Sequence, residues 1–221
     1  MKKILSNSSL KIIACIAMLI DHIGAFLLSD NIGLRIIGRI SFPIFAFCLI
    51  EGWTRTKDKK KYVLRLSFLA LITEIIYIFL VPGLNVLFTF LIGFLVIWFF
   101  ELLEKSKLGQ FERYFYAVIF FVAACVFAEL SLMDYGWYGI ATVVGLYVLR
   151  KDILSFGYFF ILLSLMYVFN GGVLIQLFSI FAILLMLLYN GKRGLKLKWS
   201  FYVFYPLHLF IIFIIMLLTY I

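Results

Sequence analysis

ACIAMLIDHIGAFLL, residues Ala14 to Leu28, decides how this chain is read. It has the composition of a membrane-crossing helix, yet Asp21 and His22 sit side by side within it. Ionisable groups in hydrocarbon are costly, and each needs a partner or a task. The rest of the chain agrees with the membrane reading. Of its 221 residues 66% are hydrophobic, 19% aromatic and only 14% charged, whereas soluble domains are roughly half apolar. The run that follows Lys2, Lys3 and Lys11 lacks a small-x-small cleavage site and is interrupted by Asp21-His22, so it reads as a first transmembrane helix and not as a removed signal peptide.

Segments long enough to cross ~30 Å of hydrocarbon recur along the chain. Nine are expected, at about 10–28, 34–52, 62–80, 85–103, 113–130, 135–150, 153–170, 172–190 and 200–220. The fold class is therefore all-α, a polytopic helical bundle forming a single domain over 1–221, in the cell membrane. Eighteen of the 20 Lys and Arg residues fall on one side of this arrangement, and the opposite connections SDNIG, VPGLN, SLMDYGW and FNGG hold none. That bias places the N-terminus in the cytoplasm and the C-terminus outside. It also accounts for the net charge of +9 without nucleic acid as a partner. Membrane lipids are the expected surroundings of the basic Lys59-Lys60-Lys61 run. Cys15, Cys48 and Cys125 lie in apolar runs and read as buried thiols. Two histidines with no clustered carboxylates make a poor metal site, so no metal is expected.

The ionisable residues within spans are few: Asp21 and His22 in the first, Arg35 and Arg39 in the second, Glu74 in the third and His208 in the ninth, with Glu51 at an inner end. At ~1.5 Å per residue, Asp21, His22, Arg39 and Glu74 share a layer in the outer half of the membrane. Ala14, Ala17, Asp21 and Gly24 share one face of the first helix, and small residues let helices approach closely, so Asp21 points into the bundle. Ser67, Ala70, Glu74 and Tyr77 share a face of the third, as do Phe201, Tyr205 and His208 of the ninth. Pro43 and Pro206 are expected to bend their helices. Asp21 and His22 are ~100° apart around the helix and need separate partners. Arg39 or Arg35 suits Asp21, and Glu74 is the candidate for His22. A salt-bridge network that only fixes helix register would use the same residues.

The segments LKIIACIAMLIDHIGAFL, LRIIGRISFPIFAFCLIEG, KKYVLRLSFLALITEI, NVLFTFLIG and FYVFYPLHL occur in this order. Together they resemble the TraX-like membrane proteins, over about half of the chain. The resemblance implies an acetyltransferase, associated with N-terminal acetylation of conjugative pilin and distantly similar to multi-pass membrane acyltransferases that use acyl-CoA. The family pattern falls here on Asp21, His22, Arg39, Pro43, Glu51, Glu74, Asn85 and His208. The implied donor is acetyl-CoA, a co-substrate, and the acceptor an amine or hydroxyl at the membrane or its outer side.

That chemistry needs a base, for which histidine is suited near neutral pH. His22 is the expected base or acetyl carrier, oriented by Asp21, Arg39 and Glu74, with His208 as the alternative base. Arg39, Arg35, Asn85 or Thr89 would stabilise the oxyanion, and Glu51 and Tyr205 would support the site. Arg55, Lys59, Lys60, Lys61, Arg65, Lys192 and Arg193 would hold the donor phosphates. Buried Asp, Arg, Glu and His also suit a proton-coupled transporter, and a non-catalytic scaffold would tolerate their replacement as matched apolar sets.

Overall fold

A computed structural model describes residues 3–219, with the side chains of Lys198 and Trp199 left aside. Met1, Lys2, Tyr220 and Ile221 lie outside the described residues, and with them the orientation signal at Lys2 and the last residue of the ninth expected span.

The chain is helical from end to end: α1 (Asn7–Phe26), α2 (Ile32–Gly38), α3 (Ser41–Arg55), α4 (Lys59–Tyr77), α5 (Val86–Glu104), α6 (Gln110–Leu130), α7 (Gly136–Val148), α8 (Ile153–Phe169), a 3₁₀ helix (Leu174–Phe181) running into α9 (Ala182–Leu187), and α10 (Lys198–Thr219). Paired backbone of the extended kind is confined to two isolated bridges among the described residues. Asn7–Phe26, Ile32–Arg55, Val86–Glu104, Gln110–Leu130 and Ser200–Thr219 are long and apolar enough to cross a membrane, and shorter apolar helices pack among them. The protein is a multi-pass helical membrane protein.

Local chemistry explains the boundaries. Ser6, Asp58, Asn85 and Asp152 each accept a hydrogen bond from a first-turn backbone N–H, capping α1, α4, α5 and α8. The second expected span is broken, not bent. Pro43 has no N–H to give to the turn before it, so α2 stops at Gly38 and α3 restarts at Ser41 with the proline in its first turn. The eighth expected span opens as a 3₁₀ helix of eight residues, an unusually long run of that geometry, before it turns α-helical. At ~2 Å of rise per 3₁₀ residue, Leu174–Leu187 reaches about 25 Å.

The small-residue face of α1 is buried as its spacing implied: Ala14, Ala17, Asp21 and Gly24 all point inward. It lies against α2 and α3. At Gly38 a side chain would overlap the Asp21 carboxylate itself; glycine here lets the two backbones close around that acid. Helices α1, α3, α4 and α10 then enclose a cavity of about 650 Å³, backed by the start of α5.

Candidate functional site

The cavity follows one stripe of α1. Lys11, Cys15, Met18, His22 and Ala25 line it, spaced three or four residues apart and so on one helix face. The antiparallel α3 supplies Phe42, Phe45, Cys48, Gly52 and Arg55 in the opposite order, with Arg39 just ahead of it at the end of α2. The cavity therefore has two distinct ends. Lys11, Arg55, Arg65 and Arg193 gather at one, and Asp21, His22, Arg35 and Arg39 at the other. From Lys11 to His22 the helix rises about 16 Å.

At the deep end the two histidines meet. His22 Nδ1 lies 2.8 Å from His208 Nε2. The ring planes are within 2° and the centroids 5.0 Å apart, so the rings meet edge to edge and not face to face. His208 Nδ1 lies 2.9 Å from the Phe204 carbonyl oxygen, which can only accept. In the neutral pair this settles both tautomers. His208 donates through Nδ1 and accepts through Nε2, and His22 must donate through Nδ1. His22 Nε2 is left with its lone pair and with no hydrogen-bond partner among the described residues.

Beside the pair, both oxygens of Asp21 are held by guanidinium groups. Arg39 Nη2 donates to Oδ1 at 2.5 Å and Arg35 Nη1 to Oδ2 at 2.6 Å. Arg35 Nη1 also reaches the Asp21 carbonyl at 3.0 Å. Arg39 is committed further: its Nε donates to the Arg35 carbonyl and its Nη1 to Gln176 Oε1 at 3.4 Å. Gln176 continues to the Tyr138 hydroxyl, which meets Ser164 and Ser179. All three of Arg39's nitrogens are thus spent on the fold. Arg35 Nε and Nη2 have no hydrogen-bond partner among the described residues, and Arg35 lines the cavity.

The chain matches the TraX protein family over residues 6–216. It belongs to the TraX family. Among curated relatives, the probable fimbrial assembly protein FimC, serogroup H1, of Dichelobacter nodosus is 28% identical, with 92% of this chain and 93% of the relative covered. The uncharacterized protein RP591 of Rickettsia prowazekii (strain Madrid E) is 30% identical over 61% of this chain and 52% of its own length. No solved structure matches the chain.

Within this TraX-family fold, several expected site residues stand elsewhere. Glu74 does not face His22. Its Oε2 accepts from Asn85 Nδ2 at 2.6 Å and from the Asn85 backbone N–H at 3.1 Å. Asn85 also donates to the Ala70 carbonyl and caps α5 through Leu87. Glu74 and Asn85 are therefore a clamp on the α4–α5 turn, and Asn85 has no N–H left over for an oxyanion. Thr89 donates to the Asp134 carbonyl at 2.5 Å and is likewise occupied. Neither Glu74, Asn85 nor Thr89 lines the cavity. Tyr205 does, packed against His208 with ring centroids 5.6 Å apart.

The basic end is also narrower than expected. Lys59 turns away to pair with Glu101 and lies over the Trp53 ring; Glu101 in turn accepts from Trp53 Nε1 and the Tyr147 hydroxyl. Lys61 pairs with the cap Asp58. Lys59, Lys60, Lys61 and Lys192 do not line the cavity. Glu51 and Arg55 do, joined at 2.6 Å and tied to the Tyr189 hydroxyl and the Gly191 carbonyl. Lys11 sits over the Phe201 ring. Arg65 Nε is buried without a hydrogen-bond partner among the described residues.

Two residues of the site escaped a sequence reading. Gln176 is uncharged and so does not stand out among ionisable groups, although an amide inside LIQLFSIF is a signal of its own kind. Asp134 reads as an ordinary loop acid, yet the chain folds it back into the deep end. Burial pushes its carboxyl up to about 6, against the opposing pull of Arg39.

Proposed function

We propose that this chain is a membrane-embedded acetyltransferase that moves an acetyl group from acetyl-CoA to an amine, with pilus or fimbrial subunits as the class of acceptor that the family and the fimbrial relative suggest. The basic end of the cavity faces the cytoplasm in this reading, as the charge bias favours, and takes the polyanionic donor. The observation that carries it is the histidine pair: a base whose free nitrogen is set by a fixed tautomer, at the end of a cavity whose mouth gathers four cations.

Arg65, Arg193, Lys11 and Arg55 hold the donor phosphates, and Arg65 Nε gains the acceptor it lacks. The pantetheine arm runs along the α1 stripe and brings the thioester to His22. The amine nitrogen attacks the thioester carbonyl carbon while His22 Nε2 takes its proton. His208 is a positioning residue, holding the His22 ring through Nδ1. The oxyanion forms near Arg35, whose Nε and Nη2 are uncommitted, so Arg35 and not Arg39 stabilises it. As the C–S bond breaks, the departing thiolate recovers the proton from His22, and the products are an amide and free CoA.

The test is single-turnover transfer from labelled acetyl-CoA to a primary amine by purified protein. His22→Ala should lower the rate by about 10²–10⁴-fold, the usual worth of a positioned base, with helicity and acetyl-CoA binding retained. Transfer at the unaltered rate in a folded His22→Ala protein would overturn the assignment.

A further inference from the structure

This inference rests on the acetyl-transfer reading above and concerns where its second substrate enters. On the face opposite the basic mouth lies another cavity, of about 450 Å³. Its wall is made by three connections: Val81-Pro82, Leu132 to Trp137, and Asn170 to Gly172. None of the three carries a lysine or arginine. The charged residues in this wall are both acids, Glu129 and Asp134, and Trp137 and Tyr167 set aromatic rings beside them. A donor's phosphates would be repelled here; a cation would be held by charge and by ring faces.

The two cavities share a partition. Tyr77, Val81, Asp134 and Tyr135 line both, so one layer of residues separates the opposite face from the histidine pair. That layer is built with care. Leu84 and Met133 bridge the α4–α5 and α6–α7 connections, and Gly83 makes this possible, since a side chain there would strike the Leu132 carbonyl. Tyr135 is held in the left-handed region at φ 65°, where a bulky residue is rare. Its ring lies 4.0 Å from Phe42, 12° from parallel. Asp134 receives the Tyr135 backbone N–H and feels Arg39 and Asp21 across the partition.

We propose that this opposite cavity is the acceptor site: it binds a primary ammonium group at the Asp134 carboxylate, beside the rings of Trp137 and Tyr167, and passes it to the histidine pair beside Tyr135. Asp134 takes one proton from the ammonium and returns it to water on that face. The neutral amine then attacks the thioester carbonyl; the second proton goes to His22 and on to the departing thiolate, and the third stays on the amide nitrogen. Donor and acceptor thus approach from opposite faces and meet at the partition.

Two experiments test this. In detergent, with n-octylamine as acceptor, Asp134→Asn should raise the amine KM at least tenfold and leave the dissociation constant of acetyl-CoA within twofold. An unchanged amine KM would overturn the proposal. The second uses the unaltered chain in sealed vesicles, with acetyl-CoA added outside so that only molecules with their basic mouth outward react. A membrane-impermeant biotinylated tripeptide amine should be acetylated when trapped in the lumen and not when added beside the donor. Equal acetylation of the outside peptide would overturn the proposal and leave the transferase reading standing. Failure of the unaltered chain to bind acetyl-CoA at all would instead remove the transferase reading and this one with it.

Discussion

The two ends of the cavity are built on opposite principles. At the deep end most polar groups are answered: Asp21 by two guanidinium groups, Arg39 by Asp21, a carbonyl and Gln176, and one histidine by the other. At the mouth the cations are only partly paired: Arg55 meets Glu51, and Arg65 keeps a buried nitrogen that no described residue satisfies. A network closed on itself fixes geometry. A set of incompletely paired cations holds unspent capacity for an anion. The difference teaches that the intramembrane charges and the basic loops, which look like one electrostatic theme in composition, do separate work.

The comparison breaks most visibly at Asp21. Asp21→Leu alone leaves Arg39 buried and Arg35 half-buried without their carboxylate, and should cost about 3–5 kcal/mol of stability, read as loss of monodisperse protein or a large fall in Tm. Replacing Asp21, Arg35 and Arg39 together by leucine should recover most of that stability without recovering transfer. Recovery of transfer as well would reduce the deep end to a structural brace.

His208 sharpens the same end. His208→Leu removes the acceptor of the His22 Nδ1 proton and should lower kcat about tenfold or more with the donor KM unchanged, the loss expected when a base is no longer held in one tautomer. His208→Gln, whose amide oxygen can accept that proton, should restore part of it. Equal activity in the two variants would show that His208 only fills space.

At the mouth the contrast is between Arg65 and Lys59, six residues apart in one helix. Arg65→Ala should weaken acetyl-CoA binding about tenfold, the scale of a charge-assisted hydrogen bond, and flatten its salt dependence. Lys59→Ala should leave donor affinity unchanged and lower Tm instead, because Lys59 is spent on Glu101 and Trp53. Equal losses in donor affinity would return the phosphates to the whole Lys59-Lys60-Lys61 run.

The smallest effect is the most specific. Asp134 has its carboxyl raised to about 6, above its ordinary value near 3.8, with Arg39, Arg35 and Asp21 facing it. A folded-state value above the unfolded one means stability that is present below about pH 4 and lost as pH rises through 6. Asp134→Asn, which cannot ionise, should therefore match the parent in Tm at pH 4 and exceed it by a few degrees at pH 7.5. A difference independent of pH would show that the acid is not strained by its burial.

Much of this was legible in the chain. Apolar lengths and turn residues gave the all-helical, multi-pass character, because backbone groups in lipid must satisfy themselves within each helix; they did not give the break between α2 and α3 or the 3₁₀ run at Leu174–Phe181. The inward face of α1 could be read from Ala14, Ala17, Asp21 and Gly24, because small residues mark close approach. Asp21 met the arginines its sequence offered, both rather than one. The pairing of Glu74 with His22 did not survive, because depth in the membrane does not give azimuth: Glu74 turned toward Asn85 across its own turn. Lys59 is a similar case, a cation drawn from the water by a carboxylate that sequence left on another helix.

By itself, then, the sequence determined the membrane, the rods, the family and the short roster of residues too costly to be idle. Side-chain period, hydrocarbon thickness and charge bias are local rules, and a linear chain carries them openly. The tertiary structure alone decided who meets whom: His22 with His208 across 186 positions, Arg39 with Gln176 across 137, Asp134 folded back into the deep end. Those pairings depend on the rotation and register of helices distant in sequence, which are set by packing among all of them at once and written in no single segment.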